Sequence, residues 1–101
     1  MPARTVAGKR SEMLTERWEL DDAVALRPEP FGALAYHFGT RKLSFLKTPE
    51  LVDVVRRLEG SATVAVALRD AGVPEPHWTA YLTALQGLAT GGMIRRRDIT
   101  P

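Results

Sequence analysis

Residues 41–58, RKLSFLKTPELVDVVRRL, pass from a strand pattern to a helix pattern within a few positions. Side chains of residues 41–46 alternate between two faces, which is the period of a β-strand. Thr48 is a suitable helix N-cap and Pro49 a suitable first helical residue, so a helix is predicted to begin there. The stretch therefore predicts a short strand beside a helix. Its function depends on whether that strand has neighbours on both sides or offers a free edge.

Two further strands are predicted before this one. Alternating apolar residues begin at Trp18, and the pair Asp21-Asp22 interrupts them, which indicates a strand that is bulged or bent at the aspartates. The motif RPEP ends this strand, because proline lacks an N–H group and restricts the preceding residue. Residues 32–38, GALAYHF, predict the second strand, and a Gly-Thr turn returns the chain antiparallel into residues 41–46. The three strands form a meander.

Three helices are predicted after the strands. Gly60 ends the first, Ser61 is the predicted cap of the second, which ends at Gly72, and Pro76 opens the third, which ends at Gly91. The third helix has the strongest apolar stripe: Trp78, Tyr81, Leu82, Leu85, Leu88 and Ala89. The order of the predicted elements, three strands and then three helices, predicts an α+β, winged-helix-like fold with a three-stranded antiparallel sheet followed by three helices. Met93 and Ile94 predict a short additional strand.

The composition predicts one domain and a reducing compartment. The chain has 101 residues, no cysteine, and 14 basic against 12 acidic residues, for a net charge of +2. No stretch has the pattern of a signal peptide or of a membrane span, so a cytoplasmic protein is expected. We predict a flexible N-terminal tail at residues 1–15, a peptide-recognition domain at 16–96 and a C-terminal tail at 97–101.

Catalytic and metal-binding patterns are not found in the sequence. The histidines are His37 and His77, neither has the spacing of a metal motif, and the absence of cysteine excludes thiolate sites. We therefore expect no enzyme activity, no cofactor and no metal, and binding remains as the function.

Binding to DNA through the third helix is one candidate function. That helix carries Gln86 but no arginine or lysine, whereas a recognition helix needs such residues for bases and phosphates. A small winged-helix DNA-binding regulator therefore stays the alternative interpretation. A structural subunit that docks to an enzyme without a peptide is a third.

Binding of an extended peptide along residues 41–46 is the preferred candidate. The last strand of a meander has a partner on one side only, and a peptide can pair along the other side as an added strand. Trp78, Tyr81 and Leu85 are expected to wall the groove, although all three also suit the core. Arg41, Lys42 and Lys47 make the groove basic, which suits an acidic peptide, although a solvated charged turn explains them equally well. An isologous homodimer through the edge strand is another use of the same edge.

With these residues identified, residues 16–96 resemble the mycofactocin-biosynthesis peptide chaperones, and LRPEPFGALAYHFGTRKLSFL is the most specific portion. This family belongs to the recognition domains for precursors of ribosomally made, modified peptides and is similar to the pyrroloquinoline-quinone peptide chaperone. The resemblance implies that the leader of a precursor peptide binds beside the third strand, in a groove closed by the third helix. It also implies delivery to a radical S-adenosylmethionine maturase, which holds the iron–sulfur clusters itself. The implied peptide-binding residues are Arg41, Lys42, Leu43, Ser44, Phe45, Leu46, Trp78, Tyr81, Leu82 and Leu85.

Overall fold

The computed structural model describes residues 12–97. The predicted tails lie largely outside this range, but residues 12–14 form a helical turn whose Met13 is buried in the core, so packed structure begins before residue 16. Between that turn and residue 97, the structure has five strands, three helices and one 3₁₀ turn. In chain order they are β1 (Trp18–Leu20), β2 (Val24–Glu29), β3 (Gly32–His37), β4 (Leu43–Leu46), α1 (Pro49–Leu58), α2 (Val64–Asp70), the 3₁₀ turn (Glu75–His77), α3 (Trp78–Thr90) and β5 (Ile94–Arg96).

The predicted α+β class and three-stranded antiparallel sheet are confirmed, with strand order β2-β3-β4. The winged-helix resemblance stays a prediction. The predicted strand from Trp18 to Leu26 divides at the aspartate pair into β1 and β2, because the Asp21 carboxylate accepts the N–H of Ala23 at 2.8 Å and closes a turn. β1 leaves the meander and pairs with β5 in a second, two-stranded sheet. The short strand predicted at Met93 and Ile94 is thus present, one residue further along.

Three local predictions need correction. β2 continues through the RPEP motif to Glu29, because Pro28 lies in an edge strand, where the missing N–H removes no ladder bond. Ser61 does not cap α2: its hydroxyl donates to the Arg57 carbonyl at 2.7 Å, and Thr63 is the cap. The strand predicted at residues 41–46 is shorter, since β4 begins at Leu43 and the two preceding basic residues lie in the connecting turn.

The helices pack on one face of the three-stranded sheet. Ala33 and Ala35 of β3 are 0% and 1% exposed, and their small side chains let α1 approach closely. The large, fully buried side chains around them are Leu46, Val54, Val55, Leu58, Val64, Leu68, Leu85 and Met93. An added Cβ at Gly32 would clash with the Leu46 carbonyl oxygen, so glycine is required where β3 approaches β4.

Ion pairs join the two-stranded sheet. Glu19 lies opposite Arg95 in the β1–β5 register, and its carboxylate binds Arg95 Nε at 2.7 Å and Arg97 Nη1 at 3.0 Å. The hydrogen bond from Arg95 lowers the pKa of Glu19 below its ordinary value, against the opposing effect of desolvation. This sheet holds the N-terminal strand against the end of the chain and leaves β4 at the margin of the other sheet.

Candidate functional site

The free edge of β4 follows from the hydrogen bonds of the sheet. The His37 N–H donates to the Lys42 carbonyl at 3.0 Å, which makes these two residues a bonded pair. Bonded pairs alternate in an antiparallel ladder, so Ser44 and Leu46 also direct their main-chain groups towards β3. Leu43 and Phe45 therefore direct their N–H and C=O groups away from the sheet. β4 pairs only with β3 in the described part of the chain, and these groups are available to a guest strand.

The opposite edge of the sheet is less suited to pairing. The Phe38 N–H donates to the Ala23 carbonyl at 2.8 Å, so the residues of β2 that face outward are Val24, Leu26 and Pro28. The Val24 N–H already donates to the Asp21 carbonyl at 2.9 Å, and Pro28 has no N–H to donate. Proline is a usual protection of an edge strand. β4 contains no proline, and this asymmetry makes it the better suited of the two edges for an added strand.

An apolar cavity of ≈ 200 Å³ opens where β4 ends, between the start of α1 and the first half of α3. Its lining residues are Lys47, Thr48, Leu51, Ala80, Tyr81 and Ala84. A strand added beside β4 would direct alternate side chains towards the helix-covered face of the sheet and the others towards the opposite face. Of the residues predicted to wall the groove, the cavity includes Tyr81 but not Trp78, Leu82 or Leu85, and no residue of β4 lines it. The predicted groove between strand and helix therefore stays a prediction.

The predicted peptide-binding residues fall into two groups. Leu43 and Phe45 are 55% and 60% exposed, Ser44 is half-buried, and Tyr81 lines the cavity. The structure places the others in or against the core: Leu46 and Leu85 at 0% exposure, Leu82 at 5%, and Trp78 half-buried with its indole N–H donating to the Val73 carbonyl at 2.8 Å. Leu43, Ser44 and Phe45 thus lie along the free edge, Tyr81 lies at the nearby cavity, and the second group belongs to the core or packs against it.

Three basic side chains lie around the edge. Arg41 and Lys42 precede β4, Lys47 follows it, and all three are exposed. None of them takes part in an ion pair within residues 12–97. Arg41 has φ 66°, the one positive φ at a described residue other than glycine. A left-handed conformation is unfavourable for a residue with a Cβ atom, which marks this turn for a functional explanation.

An exposed aromatic surface covers the sheet face that points away from the helices. We call it the outer face, and its large exposed side chains are Phe31, Phe38, Leu43 and Phe45 at 42–63% exposure. Phe31 packs edge-on against Phe45 at 5.9 Å between ring centroids, and Tyr36 packs against Phe38 at 5.0 Å. The alternation of residues 32–38 puts Tyr36 and Phe38 on one face of the strand but does not assign that face to solvent. Period-two alternation defines two faces without indicating which of them the helices cover.

The histidines have structural surroundings. His37 Nδ1 accepts the N–H groups of Gly39 and Thr40 at 3.0 and 3.1 Å and so organises the turn before β4, while His77 is exposed in the 3₁₀ turn. Residues 12–97 contain no group of three or more potential metal ligands. Over the same range, each helix is too short or too polar to cross a membrane.

A larger cavity, of ≈ 500 Å³, lies between the helical turn at residues 12–14, β1, β5 and the end of α3. Three of its polar groups already bind one another: Glu16 accepts the Trp18 indole N–H at 2.9 Å and lies 3.7 Å from Arg96. The residues that line it lie at helix ends or take part in the contacts of the two-stranded β1–β5 sheet. By size alone this cavity would be the candidate binding site. The edge of β4, however, has the unpaired main-chain N–H and C=O groups that addition of a strand requires.

The comparison with protein families gives a match over nearly the whole described chain. Residues 17–95 match the model of the peptide chaperone MftB family. This range contains β1–β4, α1–α3 and all of β5 except its last residue, whereas the helical turn at residues 12–14 precedes it.

Three curated relatives share the name peptide chaperone MftB. The protein from Mycobacterium ulcerans (strain Agy99) is 48% identical over 93 residues, which cover 92% of this chain and 85% of the relative. The protein from Mycobacterium tuberculosis is 46% identical over 100 residues, covering 98% and 92%. The protein from Mycolicibacterium smegmatis is 51% identical over 77 residues, covering 76% of each. No solved structure matches the chain.

Proposed function

Because the chain belongs to the peptide chaperone MftB family, we propose that it binds the leader of a ribosomally made precursor peptide as an added β-strand along β4. It then delivers the bound precursor to a radical S-adenosylmethionine maturase in mycofactocin biosynthesis. In this proposal the chain is a binding protein and not an enzyme, and the cofactor chemistry belongs to the maturase.

The observation that carries the proposal is the outward direction of the Leu43 and Phe45 main-chain groups at an edge without proline. Main-chain hydrogen bonds give such a complex its affinity, and pockets for alternate side chains give it specificity. Guest side chains on one face enter the cavity beside Tyr81 and Ala84. Those on the other face lie beside the Phe45 ring and extend the outer face.

The energetics require apolar contacts as well as hydrogen bonds. Micromolar affinity corresponds to about −8 kcal/mol. Ordering a disordered leader opposes binding by roughly 2–5 kcal/mol. Burying a side chain of the size of phenylalanine contributes roughly 1.5–3 kcal/mol, so covering the exposed ring of Phe45 is a substantial part of the attraction.

Isothermal titration of the protein with a synthetic precursor leader, in the absence of the maturase, tests the proposal. We expect saturable one-to-one binding, with the largest amide chemical-shift changes at Leu43 and Phe45. The amide of Leu26, on the other edge of the sheet, serves as the internal reference, and its chemical shift is expected to change little.

Two matched substitutions locate the site. Phe45→Glu is expected to weaken leader binding about tenfold or more, because it removes an apolar contact at the edge. Phe38→Glu changes a ring of nearly equal exposure on the same face but outside β4, and is expected to leave leader binding unchanged. Equal affinity of Phe45→Glu and the wild type, with both folded by circular dichroism, would contradict the proposed edge.

A further inference from the structure

The free edge of β4 has the geometry to accept a second copy of the same chain. Leu43 and Phe45 both face outward, so two copies related by a twofold axis at Ser44 would set Leu43 of each beside Phe45 of the other. Each such pair would exchange both of its N–H···O=C bonds. The backbone therefore allows the homodimer that the sequence suggested, and something other than backbone geometry must oppose it if the edge is to remain free for a guest.

The charges at the two ends of β4 provide that opposition. In the twofold arrangement, Arg41 and Lys42 of each copy lie beside Lys47 of the other, and symmetry repeats the contact. Like charges placed opposite each other across a strand pair are destabilising. None of the three has an ion-pair partner within residues 12–97 that would neutralise it.

The backbone at Arg41 is a separate observation in favour of a role for its charge. Its φ of 66° closes the turn between β3 and β4, a position at which glycine is unstrained. Arginine there contributes no contact to the core, since it is exposed and the buried cluster does not include it. The presence of a residue with an unfavourable φ and no packing contacts is explained if its charge is required at that position.

From these observations we infer that Arg41, Lys42 and Lys47 form a charge bracket around β4 that excludes a second copy and selects an extended guest with carboxylates at both ends. The exclusion of self-pairing depends only on the edge and its charges. The selection of an acid-flanked guest rests on the proposed function.

Self-association is tested by charge reversal at one end of the strand. The wild type is expected to be monomeric by sedimentation equilibrium at low salt, whereas Arg41→Glu/Lys42→Glu is expected to dimerise with an association constant about tenfold higher or more. Lys47→Glu, at the other end, is expected to do the same. Adding salt should weaken both dimers, because it screens the new opposite-charge contacts.

Reversal of all three charges is the sharpest control. The triple variant Arg41→Glu/Lys42→Glu/Lys47→Glu again has like charges at both ends and is expected to return to a monomer. Arg56→Glu/Arg69→Glu has the same change of net charge as the double variant, at two exposed arginines of α1 and α2, and is also expected to stay monomeric. A wild-type dimer through β4 at low salt, or single-end variants that stay monomeric like this control, would overturn the inference.

Guest selection is tested with three short peptides that share an apolar valine- and leucine-containing centre. Their ends carry two glutamates each, two glutamines each or two lysines each. We expect the glutamate peptide to bind the wild type about tenfold more tightly than the glutamine peptide, and the triple variant to prefer the lysine peptide.

The outcomes separate the two proposals. Equal binding of the three peptides would overturn the charge bracket as a selector while leaving strand addition intact. If neither these peptides nor the precursor leader binds, the proposed function fails, and the sedimentation experiment still decides whether the bracket prevents self-pairing. Arg41→Gly is expected to raise the melting temperature and to weaken binding of the glutamate peptide, and a loss of stability in this variant would contradict the explanation of the strained turn.

Discussion

Glu19 shows how one carboxylate makes the fold sensitive to acid. It is 8% exposed, and both Arg95 of β5 and Arg97, just after that strand, donate hydrogen bonds to it. Because the bond from Arg95 lowers the pKa of Glu19 below its ordinary value of 4.5, the folded state favours the ionised form. The resulting stabilisation is fully present above that ordinary value and is lost as pH falls through the lower pKa of the folded state.

Glu19→Gln is therefore expected to lower the urea midpoint at pH 7 and to lose less stability than the wild type between pH 4.5 and acid. Glu75→Gln, at an exposed glutamate of the 3₁₀ turn, is the matched control and should follow the wild-type curve. Urea unfolding at a series of pH values measures both. Parallel curves for Glu19→Gln and the wild type would show that the β1–β5 ion pairs do not produce the acid sensitivity.

At the scale of elements, local sequence patterns predicted where helices and strands form better than they predicted which elements pair or pack together. Thr48 accepts the Leu51 N–H at 3.1 Å and caps α1 as predicted, because capping is decided by neighbouring residues. The pairing of β1 with β5 joins residues more than 70 positions apart, and no local signal indicates it. Alternation in β4 likewise failed to show that Phe45 is exposed, since exposure depends on which face another element covers.

The N–H groups along β4 face β3 and solvent in turn, which predicts alternating rates of amide hydrogen exchange. The N–H groups of Ser44 and Leu46 face β3, whereas those of Leu43 and Phe45 face solvent. In the free protein we expect Leu43 and Phe45 to exchange at least about tenfold faster than their two neighbours. The leader should then slow exchange at Leu43 and Phe45 selectively, which exchange monitored by nuclear magnetic resonance measures residue by residue.

Uniform protection along β4 on leader binding would contradict this pattern. It would mean that the leader stabilises the whole hairpin from one of its faces rather than adding a strand at its edge. The Leu26 amide, which faces outward from β2, is the reference for an edge that the leader does not occupy.

At the scale of the whole molecule, a guest strand bound as proposed would form one continuous surface with the outer face. Phe45 belongs to both, because its main chain lies at the free edge and its ring lies on the outer face against Phe31. Exposed aromatic residues with few charges are typical of the centre of a protein interface. The charge of Arg27, on β2 of the same sheet, is paired with Glu29 at 2.9 Å. We propose that the maturase docks on the outer face, where it would meet the outward side chains of the bound leader.

Phe38→Glu separates maturase docking from leader binding, because Phe38 is 63% exposed on the outer face but lies outside β4. We expect this variant to bind the leader as the wild type does and to bind the maturase about tenfold more weakly, since a charge is placed in an apolar contact. Phe45→Glu should weaken both interactions, and Ala62→Glu, in the exposed loop before α2, should weaken neither. Sedimentation of each variant with the maturase, in the presence and in the absence of the leader, measures the affinity for the maturase. If Phe38→Glu binds the maturase as tightly as Ala62→Glu does, the maturase docks elsewhere, and presentation of the leader cannot depend on the continuity of the two surfaces.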